Sequence, residues 1–480
     1  MILDGRGLTP EDVEAVARGG ARVELDDAAR ERNAAAARAL DELVAGGEPV
    51  YGVTTGVGPF RTRPVPEDQR GDQQLRLLRS HASGGGRELP PELVRATMVV
   101  RANQIAAGGA GVSDGLLGAL VEALNEGFAP AAHELGSLGI GDLTILAEIA
   151  LALIDRYGLE LGPRDGLGLM SSNAASIGQA ALVAVAADRL FDEALQVAAL
   201  SFLAADADRV VLDARVHAAR PHPGQVAAAA RLRELLAAHP GARRTSGGSL
   251  HSADGGSPVQ DPFPFRALSQ VEGTARDALT ALERVLAVEL NAAAENPLIA
   301  VDEPAILPSA NFHAGALTLA LDGLRGALAQ SSSLCAARVT AMLEPDLTGL
   351  PAMLASDAGP GSGGMMLEYT AHAAAAAVRT LAAPVANQTT VVGSGVESHA
   401  SFAPLAARMA DQALDAAAVA IATELVVAMR ALGIRGEKPS GIPAAELYAR
   451  AAAVLGTDME DRPLAEDVEA ARLLLVASRE

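Results

Sequence analysis

The sequence is poor in aromatic residues, although half of its 480 residues are hydrophobic. Aromatic residues make up 2% of the chain, so the core must be built mainly from Ala, Leu and Val. Ala and Leu are strong helix formers, and the β-branched and aromatic residues typical of strands are few. The composition therefore predicts an all-α fold.

Cysteine and lysine are also scarce, and each shortage excludes a type of chemistry. The single cysteine, Cys335, excludes an internal disulfide and a CxxC metal site, and it fits a reducing cytoplasm. The single lysine, Lys438, lies in a segment flanked by Gly and Pro. This position argues against Schiff-base chemistry with a pyridoxal cofactor.

The charge balance is strongly acidic, with 38 basic and 59 acidic residues and a net charge of −21. Such a surface repels phosphate backbones, so we expect no nucleic-acid partner. The first six residues lack the pattern of a signal peptide. The most apolar stretch, 413–432, contains Asp415 and Glu424 and is interpreted as a buried helix, with no membrane partner. We expect a cytoplasmic protein.

Several segments have the signals of long helices. Thr9, followed by Pro10 and two acidic residues, is typical of a helix start. Apolar residues recur with helical spacing from 271 to 290, and three further stretches are also interpreted as long helices: 316–343, 368–384 and 403–432. Long helices of this kind suggest a bundle shared between subunits. We predict three segments: 1–200 with the active-site loops, 201–432 as the central bundle, and 433–480 as a helical C-terminal segment.

Common short motifs are absent. His133-Glu134 does not continue into the HExxH zinc pattern, and no Gly-rich loop ends in Lys-Ser/Thr, so neither a metal site nor a phosphate loop is predicted. Two Gly-rich segments, 51–58 and 84–86, combine flexible backbone with polar neighbours. They are interpreted as mobile loops over a site.

Many short segments, taken together, resemble the histidine/phenylalanine ammonia-lyase family and follow in that family's order. The matching segments are Tyr51–Gly58, Leu77–Ala82, Gly136–Leu143, His222–Gln225, Gln260–Pro262 with Arg266, Val288–Asn291, Glu295–Leu298, Asn311–His313, Gly349–Pro351 and Glu397–His399. The resemblance implies an all-α fold and a homotetramer whose active sites are assembled from several subunits. It also implies lyase chemistry on a small molecule.

The family's lyases carry a methylidene-imidazolone electrophile, made by cyclising an internal Ala-Ser-Gly. The serine must lose water, and the glycine nitrogen must be unhindered. The family's segment Gly-Ser-Val-Gly-Ala-Ser-Gly-Asp-Leu corresponds here to Gly136–Leu143, which is one residue shorter. Ile140, between Gly139 and Gly141, stands where the family has Ala-Ser, and Ile cannot dehydrate to the required alkene. We therefore expect no such cofactor in this protein.

The resemblance also assigns roles to individual residues. Tyr51 corresponds to the family's general base, His81 to a histidine of the substrate pocket, and Glu397 to an acidic site residue. Arg266 corresponds to the arginine that pairs with the substrate carboxylate. Gln260 and Phe312 correspond to the pocket lining. Ser171 and Phe263 stand where the family has a polar Asn and Tyr.

Three functions remain open at this point. The first is a repurposed enzyme of specialised metabolism that performs elimination, isomerisation or cyclisation on an activated, anionic molecule, with Tyr51 as base, Glu397 or His81 as acid, and Arg266 holding the anionic group. The second is a conventional aromatic amino acid or histidine ammonia-lyase, or an aminomutase. The third is a non-catalytic ligand-binding protein. The first is the preferred interpretation, and the sequence does not identify the substrate.

Overall fold

The computed structural model describes residues 1–237, 260–356, 361–456 and 460–477, and these are predominantly helical. The first nine α-helices are α1 (Pro10–Ala17), α2 (Asp27–Ala45), α3 (Arg70–His81), α4 (Pro91–Ala107), α5 (Asp114–Asn125), α6 (Leu143–Tyr157), α7 (Asp165–Met170), α8 (Ala174–Ala204) and α9 (Ala214–Ala218). The second nine are α10 (Pro223–Leu235), α11 (Phe263–Arg266), α12 (Leu268–Glu289), α13 (Gly315–Leu343), α14 (Pro345–Thr348), α15 (Met365–Leu381), α16 (Ala403–Arg435), α17 (Ala444–Val454) and α18 (Ala465–Ala477). The predicted all-α fold is confirmed.

The four long helices predicted from apolar spacing are present as α12, α13, α15 and α16. Their ends differ from the predicted ones by a few residues, which is the usual uncertainty of helix ends. The helix start at Thr9 is also confirmed. Its hydroxyl accepts from the amide of Asp12 at 3.2 Å, and the Asp12 carboxylate accepts from the amide of Thr9 at 3.1 Å. This reciprocal pair satisfies two amides that the first turn leaves without partners.

Small residues allow the buried helices to approach closely. In the contact of α8 with α4, a Cβ atom added at Gly178 would lie 2.9 Å from the backbone of Ala96. Any larger residue at position 178 would push the two helices apart. The abundance of Ala and Gly therefore replaces large aromatic side chains as the means of packing this core.

Strands are short and form three two-stranded sheets in the described residues. β1 (Ile2–Leu3) pairs in parallel with β2 (Glu24–Leu25), and Leu3 lies opposite Leu25. The other two pairs are antiparallel: β3 (Gly85–Glu88) with β4 (His133–Leu135), and β5 (Leu298–Ala300) with β6 (Ala305–Leu307). Short 3₁₀ helices occur at Gly58–Phe60, Glu67–Gln69, Arg209–Leu212, Ala352–Leu354 and Gly393–Gly395.

The chain divides into two compact units that alternate along the sequence. Unit 1 comprises Met1–Val185, Leu282–Asp322 and Pro384–Arg408. Unit 2 comprises Ala186–Ala281, Gly323–Ala383 and Met409–Glu480. The three consecutive segments expected from the sequence stay a prediction.

Two stretches, 165–204 and 403–435, are long and apolar enough to cross a membrane by length and composition alone. Their most apolar windows are 94% and 78% buried within the protein. Burial of this extent is typical of core helices of a folded protein, in agreement with the interpretation of 413–432 as a buried helix.

Candidate active site

The Gly-rich segment that begins at Tyr51 folds back on itself in unit 1. The amide of Gly56 donates to the carbonyl oxygen of Arg63 at 3.0 Å and closes the loop, with the 3₁₀ turn Gly58–Phe60 at its tip. The amide of Gly58 donates to the phenol oxygen of Tyr51 at 2.8 Å. This hydrogen bond fixes the direction of the Tyr51 side chain and places a donor where a phenolate would carry its charge.

His81 is the last residue of α3, and its ring is oriented by the helix itself. Its Nδ1 lies 2.8 Å from the carbonyl oxygen of Leu77. Because a carbonyl oxygen can only accept, Nδ1 carries the proton in this contact and Nε2 is left as an acceptor in the neutral ring. His81 therefore offers a ligand one hydrogen-bond acceptor.

Glu397 and Phe312 come from two loops that meet through a pair of histidines. Glu397 belongs to a tight turn in which its carbonyl oxygen accepts from the amide of Val392 at 2.9 Å. Phe312 precedes His313, whose Nε2 lies 2.9 Å from Nδ1 of His399. The two loops are thus joined by a direct side-chain contact, which brings together residues 85 positions apart, as 397 − 312 gives.

The segment that resembles the family's cofactor loop is held in place by contacts with residues from two other loops. Ser401 donates through its hydroxyl to the carbonyl oxygen of Gly139 at 2.8 Å, and Ile140 forms a β-bridge with His313. Gly139 has a φ of +76°, and a Cβ atom there would clash with Oγ of Ser401. Position 139 therefore requires glycine in this packing.

Asp142 anchors the other end of the same loop and is fully buried. Its carboxylate accepts from the hydroxyl of Ser137 at 2.6 Å and from the amide of Ser176 at 2.7 Å. Burial raises the pKa of Asp142 above its ordinary value, and these hydrogen bonds oppose that rise. The loop is consequently tied to the start of α8.

A buried charge cluster supports the opposite wall of the site. Both guanidinium groups of Arg101 and Arg164 face the carboxylate of Glu295, at 2.7 and 3.7 Å, and all three side chains have 0% exposure. Arg101 also donates to the carbonyl oxygen of Leu169 at 3.0 Å, and Arg164 donates to that of Pro297 at 2.5 Å. The cluster thus links the backbone at Leu169, which precedes Met170 and Ser171, to the backbone at Pro297, which follows Asn296.

These elements enclose a cavity of about 220 Å³ within unit 1. Three of the predicted catalytic and pocket residues that line it are Tyr51, His81 and Glu397. The lining also includes Ile140, Gly141, Ser171 and Phe312. Most of the residues selected from the sequence therefore meet at one place, although they lie in six separate stretches of the chain.

Four predicted residues do not line the cavity. Gly139 is turned away against Ser401. Gln260, Phe263 and Arg266 belong to unit 2, where Arg266 donates to Oε1 of Gln260 at 2.5 Å and its guanidinium lies 5.5 Å from the centre of the Phe263 ring. The Phe263 side chain is 65% exposed.

Several lining residues were not selected from the sequence. They are Phe60, Leu143, Leu167, Met170 and Asn296. Asn296 lies inside a segment already quoted for its family resemblance, so that signal was available. Leu143 also lies inside such a segment, Gly136–Leu143. Phe60, Leu167 and Met170 have no such signal, because an apolar side chain that faces a cavity has the same spacing as one that faces the core.

The pKa of Tyr51 is raised rather than lowered in this cavity. Burial is the largest cause, the amide of Gly58 opposes it, the Glu397 carboxylate raises the pKa further, and the Arg61 guanidinium lowers it. A phenol that acts as a base near neutral pH needs a lowered pKa, and this cavity does not supply one. Burial and the Glu397 carboxylate outweigh the Gly58 amide and the Arg61 guanidinium.

Among the described residues, no group of three or more His, Cys, Asp or Glu side chains is placed so that it could hold a metal ion. The titratable groups that line the cavity are one phenol, one imidazole and one carboxylate, and Ser171 and Asn296 add a hydroxyl and a carboxamide. Apolar and aromatic side chains surround these three groups.

The family model for aromatic amino acid lyases matches residues 8–453. The chain belongs to the aromatic amino acid lyase family. Histidine ammonia-lyases are among its relatives: one from Treponema denticola is 33% identical over 98% of this chain and 95% of its own length, and one from Streptomyces coelicolor is 35% identical over the same shares.

Solved structures of the family share the fold. The crystal structure of the ergothioneine-degrading enzyme ergothionase from Treponema denticola, in complex with desmethyl-ergothioneine sulfonic acid, superposes with a TM-score of 0.91 and 29% identity. The superposition covers 100% of this chain and 99% of that enzyme. The predicted membership of the ammonia-lyase family is therefore confirmed over nearly the whole chain.

The preferred functional interpretation of the sequence is wrong. It described an enzyme repurposed for elimination, isomerisation or cyclisation of an activated, anionic molecule. Nearly full-length relatives at 33% and 35% identity are histidine ammonia-lyases, which favours the alternative of a conventional ammonia-lyase. The error came from giving one altered loop more weight than the rest of the pocket, most of which is retained.

Proposed function

We propose that this aromatic amino acid lyase is an amine-eliminating enzyme of the histidine ammonia-lyase type. Its substrate is a histidine-like α-amino carboxylate, from which it removes the α-nitrogen and one β-proton to give an α,β-unsaturated acid. The observation that carries the proposal is the convergence of Tyr51, His81 and Glu397 on one cavity. Similarity to histidine ammonia-lyases along nearly the whole chain supports it.

Tyr51 is proposed as the base. Its phenolate takes the β-proton, the electron pair of that C–H bond becomes the new C=C bond, and the α-nitrogen leaves with the electrons of the C–N bond. Because burial and Glu397 raise the pKa of Tyr51, little phenolate is present at neutral pH. The rate is therefore expected to rise with pH.

His81 and Glu397 are proposed to select the ring of the substrate. The neutral His81 ring has Nε2 free as an acceptor, and the Glu397 carboxylate offers only acceptors. In a cavity whose other lining groups are largely apolar, two acceptors favour a ring that carries N–H donors. An imidazole-type ring meets this requirement, whereas a phenyl ring would leave both acceptors without partners.

Residues 139–141 do not fit the methylidene-imidazolone electrophile of the family. The segment has no serine to dehydrate, because Ile140 stands where the family has Ala-Ser. We propose that this chain does not form the electrophile from these residues, and no step above depends on it.

A second candidate substrate is suggested by the lack of an electrophile precursor in residues 139–141. Ergothioneine is a histidine-derived betaine whose trimethylated α-nitrogen is already a good leaving group, so its elimination has less need of an electrophile. The enzyme in one similar structure degrades ergothioneine. The aromatic rings of Tyr51, Phe60 and Phe312 beside the Glu397 carboxylate also suit a quaternary ammonium group.

We also propose a cytoplasmic homotetramer with shared active sites, as the family resemblance implies. The cavity of unit 1 has a carboxylate and no arginine among its lining residues, whereas Arg266 lies in unit 2. Another subunit would supply Arg266 to bind the substrate carboxylate bidentately. Mixing inactive Tyr51→Phe and Arg266→Met subunits should then restore part of the activity. Mixtures that stay inactive would contradict shared sites.

The decisive experiment offers the purified full-length protein three substrates: L-histidine, ergothioneine and L-phenylalanine. The appearance of the unsaturated acid is followed by absorbance and the released amine is identified by mass spectrometry. We expect product from an imidazole substrate and none from phenylalanine. Tyr51→Phe should lower kcat by roughly 10²- to 10⁴-fold, the usual contribution of general base catalysis.

The two imidazole arms distinguish the candidates. Turnover of histidine supports the first candidate. An intact mass lower than the sequence mass by the water lost in cyclisation, with a modified peptide covering Ile140, would contradict the proposal that residues 139–141 do not form the electrophile. Turnover of ergothioneine alone, with an unmodified peptide, supports the second candidate. No turnover of either compound, or turnover of phenylalanine alone, would contradict the proposed function.

A further inference from the structure

Two arginines lie at the tip of the Tyr51 loop, and of their two guanidinium groups that of Arg61 donates to Gly58, the residue whose amide holds the phenol. Nη1 of Arg61 donates to the carbonyl oxygen of Gly58 at 3.3 Å, and the amide of Arg61 donates to the same oxygen at 3.2 Å. Arg63 instead lies over the ring of Phe60, 4.5 Å from its centre. The two guanidinium groups carry the same charge but contact different residues.

Gly58 is consequently held at both of its polar groups. Its amide donates to the Tyr51 oxygen at 2.8 Å, and its carbonyl oxygen accepts from Arg61. Gly58 has a φ of +54°, a conformation that costs glycine little. Loss of the guanidinium would loosen this turn and, with it, the direction of the amide that faces the phenol oxygen.

The charges near Tyr51 oppose one another. Glu397 raises the pKa of Tyr51, while Arg61 lowers it, and His81 lines the same cavity from the end of α3. A phenolate in this cavity therefore has one amide and one cation in its favour, against burial and one carboxylate.

We propose that Arg61 is a positioning residue for the base of this lyase: its guanidinium holds the Gly58 turn so that an amide and a positive charge face the Tyr51 oxygen. The inference deepens the proposed function and rests on it for its kinetic consequence. Arg61 is not among the residues that line the cavity. It acts through Gly58 and through its charge.

The test compares Arg61→Met with Arg63→Met, which removes the same charge from the same loop. We expect the limb of the kcat/KM profile that reports the base to move to higher pH in Arg61→Met. At a fixed pH below that limb, kcat/KM should fall roughly two- to fivefold, the range of an exposed charge interaction. Arg61→Lys should recover most of this loss, and high salt should shrink it, because an exposed charge is screened.

A second measurement needs no substrate. The chain has no tryptophan and four tyrosines, so phenol ionisation can be followed by absorbance, with Tyr51→Phe as the reference that identifies the Tyr51 component. That component should titrate at higher pH in Arg61→Met than in Arg63→Met. Equal shifts in both variants, or no shift in Arg61→Met, would overturn the proposal. If no substrate is turned over, the proposed function fails while this titration still decides the role of Arg61.

Discussion

Buried charge is arranged in opposite ways in the two units. In unit 1, two guanidinium groups, Arg101 and Arg164, share the one carboxylate of Glu295. In unit 2, one guanidinium, Arg338, pairs with Glu424 through two contacts of 2.7 Å, and a second carboxylate, Glu272, is buried nearby. One cluster has an excess of positive groups and the other an excess of negative groups.

The two excesses are accommodated by different chemistry. Carbonyl oxygens of the backbone can only accept, so they suit the surplus guanidinium in unit 1, and Arg164 indeed donates to Pro297. In unit 2, Ser331 donates to Glu272 at 2.9 Å, and burial raises the pKa of that carboxyl. A carboxylate can take up a proton when it is desolvated, and an arginine cannot lose one. The unit 1 cluster therefore depends more strictly on its counter-charge than the unit 2 cluster does.

The largest effect is expected from Glu295→Gln, which leaves two buried guanidinium groups without a carboxylate. The free energy of unfolding, measured by denaturant unfolding, should fall by about 3–5 kcal/mol, because an uncompensated buried charge remains. Activity of the folded fraction should also fall, since Ser171 and Asn296 line the cavity next to the cluster. Asp114→Asn, which breaks an exposed pair with Arg30, is the control and should cost about 0–1 kcal/mol. Equal losses in the two variants would contradict the comparison.

A smaller loss is expected from Arg338→Met in unit 2. The two remaining carboxyls can be neutralised by protons, so the destabilisation should lie near the lower end of the range for broken buried pairs, about 3 kcal/mol. Denaturant unfolding at neutral and at mildly acidic pH checks this, and the loss should shrink on acidification. A loss that grows at acidic pH would show that protons do not compensate in this cluster.

Glu272→Gln sharpens the comparison through its pH dependence. The folded protein holds the pKa of Glu272 above its ordinary value, so the folded state gains from this group while it is protonated and loses that gain as pH rises through the folded pKa. The wild-type protein should therefore lose stability relative to Glu272→Gln from the ordinary carboxyl range upward. Melting temperatures of the two proteins, measured in parallel across pH, test this. A wild-type melting temperature that rises relative to that of Glu272→Gln as the pH rises would contradict it.

The smallest effect concerns Cys335, which lies fully buried near Glu424. Burial raises the pKa of this thiol well above its ordinary value, so little thiolate forms. An alkylating reagent should modify it only when unit 2 opens, and Arg338→Met should speed the modification more than Glu295→Gln does. Rapid labelling of the native wild-type protein would show that the cluster is accessible.

The sequence was informative where the signal is local. Thr9 and Asp12 predict their own helix start because the capping contacts span only three residues. The long helices follow from apolar spacing, and family membership follows from many short segments in order. The lack of a serine in residues 139–141 can likewise be seen in the sequence alone.

Local signals do not determine how distant groups act on one another. That Tyr51, Ser171, Phe312 and Glu397 line one cavity while Arg266 does not was decided by the tertiary structure, since burial and direct contacts bring these residues together. The same holds for the raised pKa of Tyr51 and for the opposite signs of the two buried clusters. Desolvation and charge interactions depend on distance in space, which the order of residues does not contain.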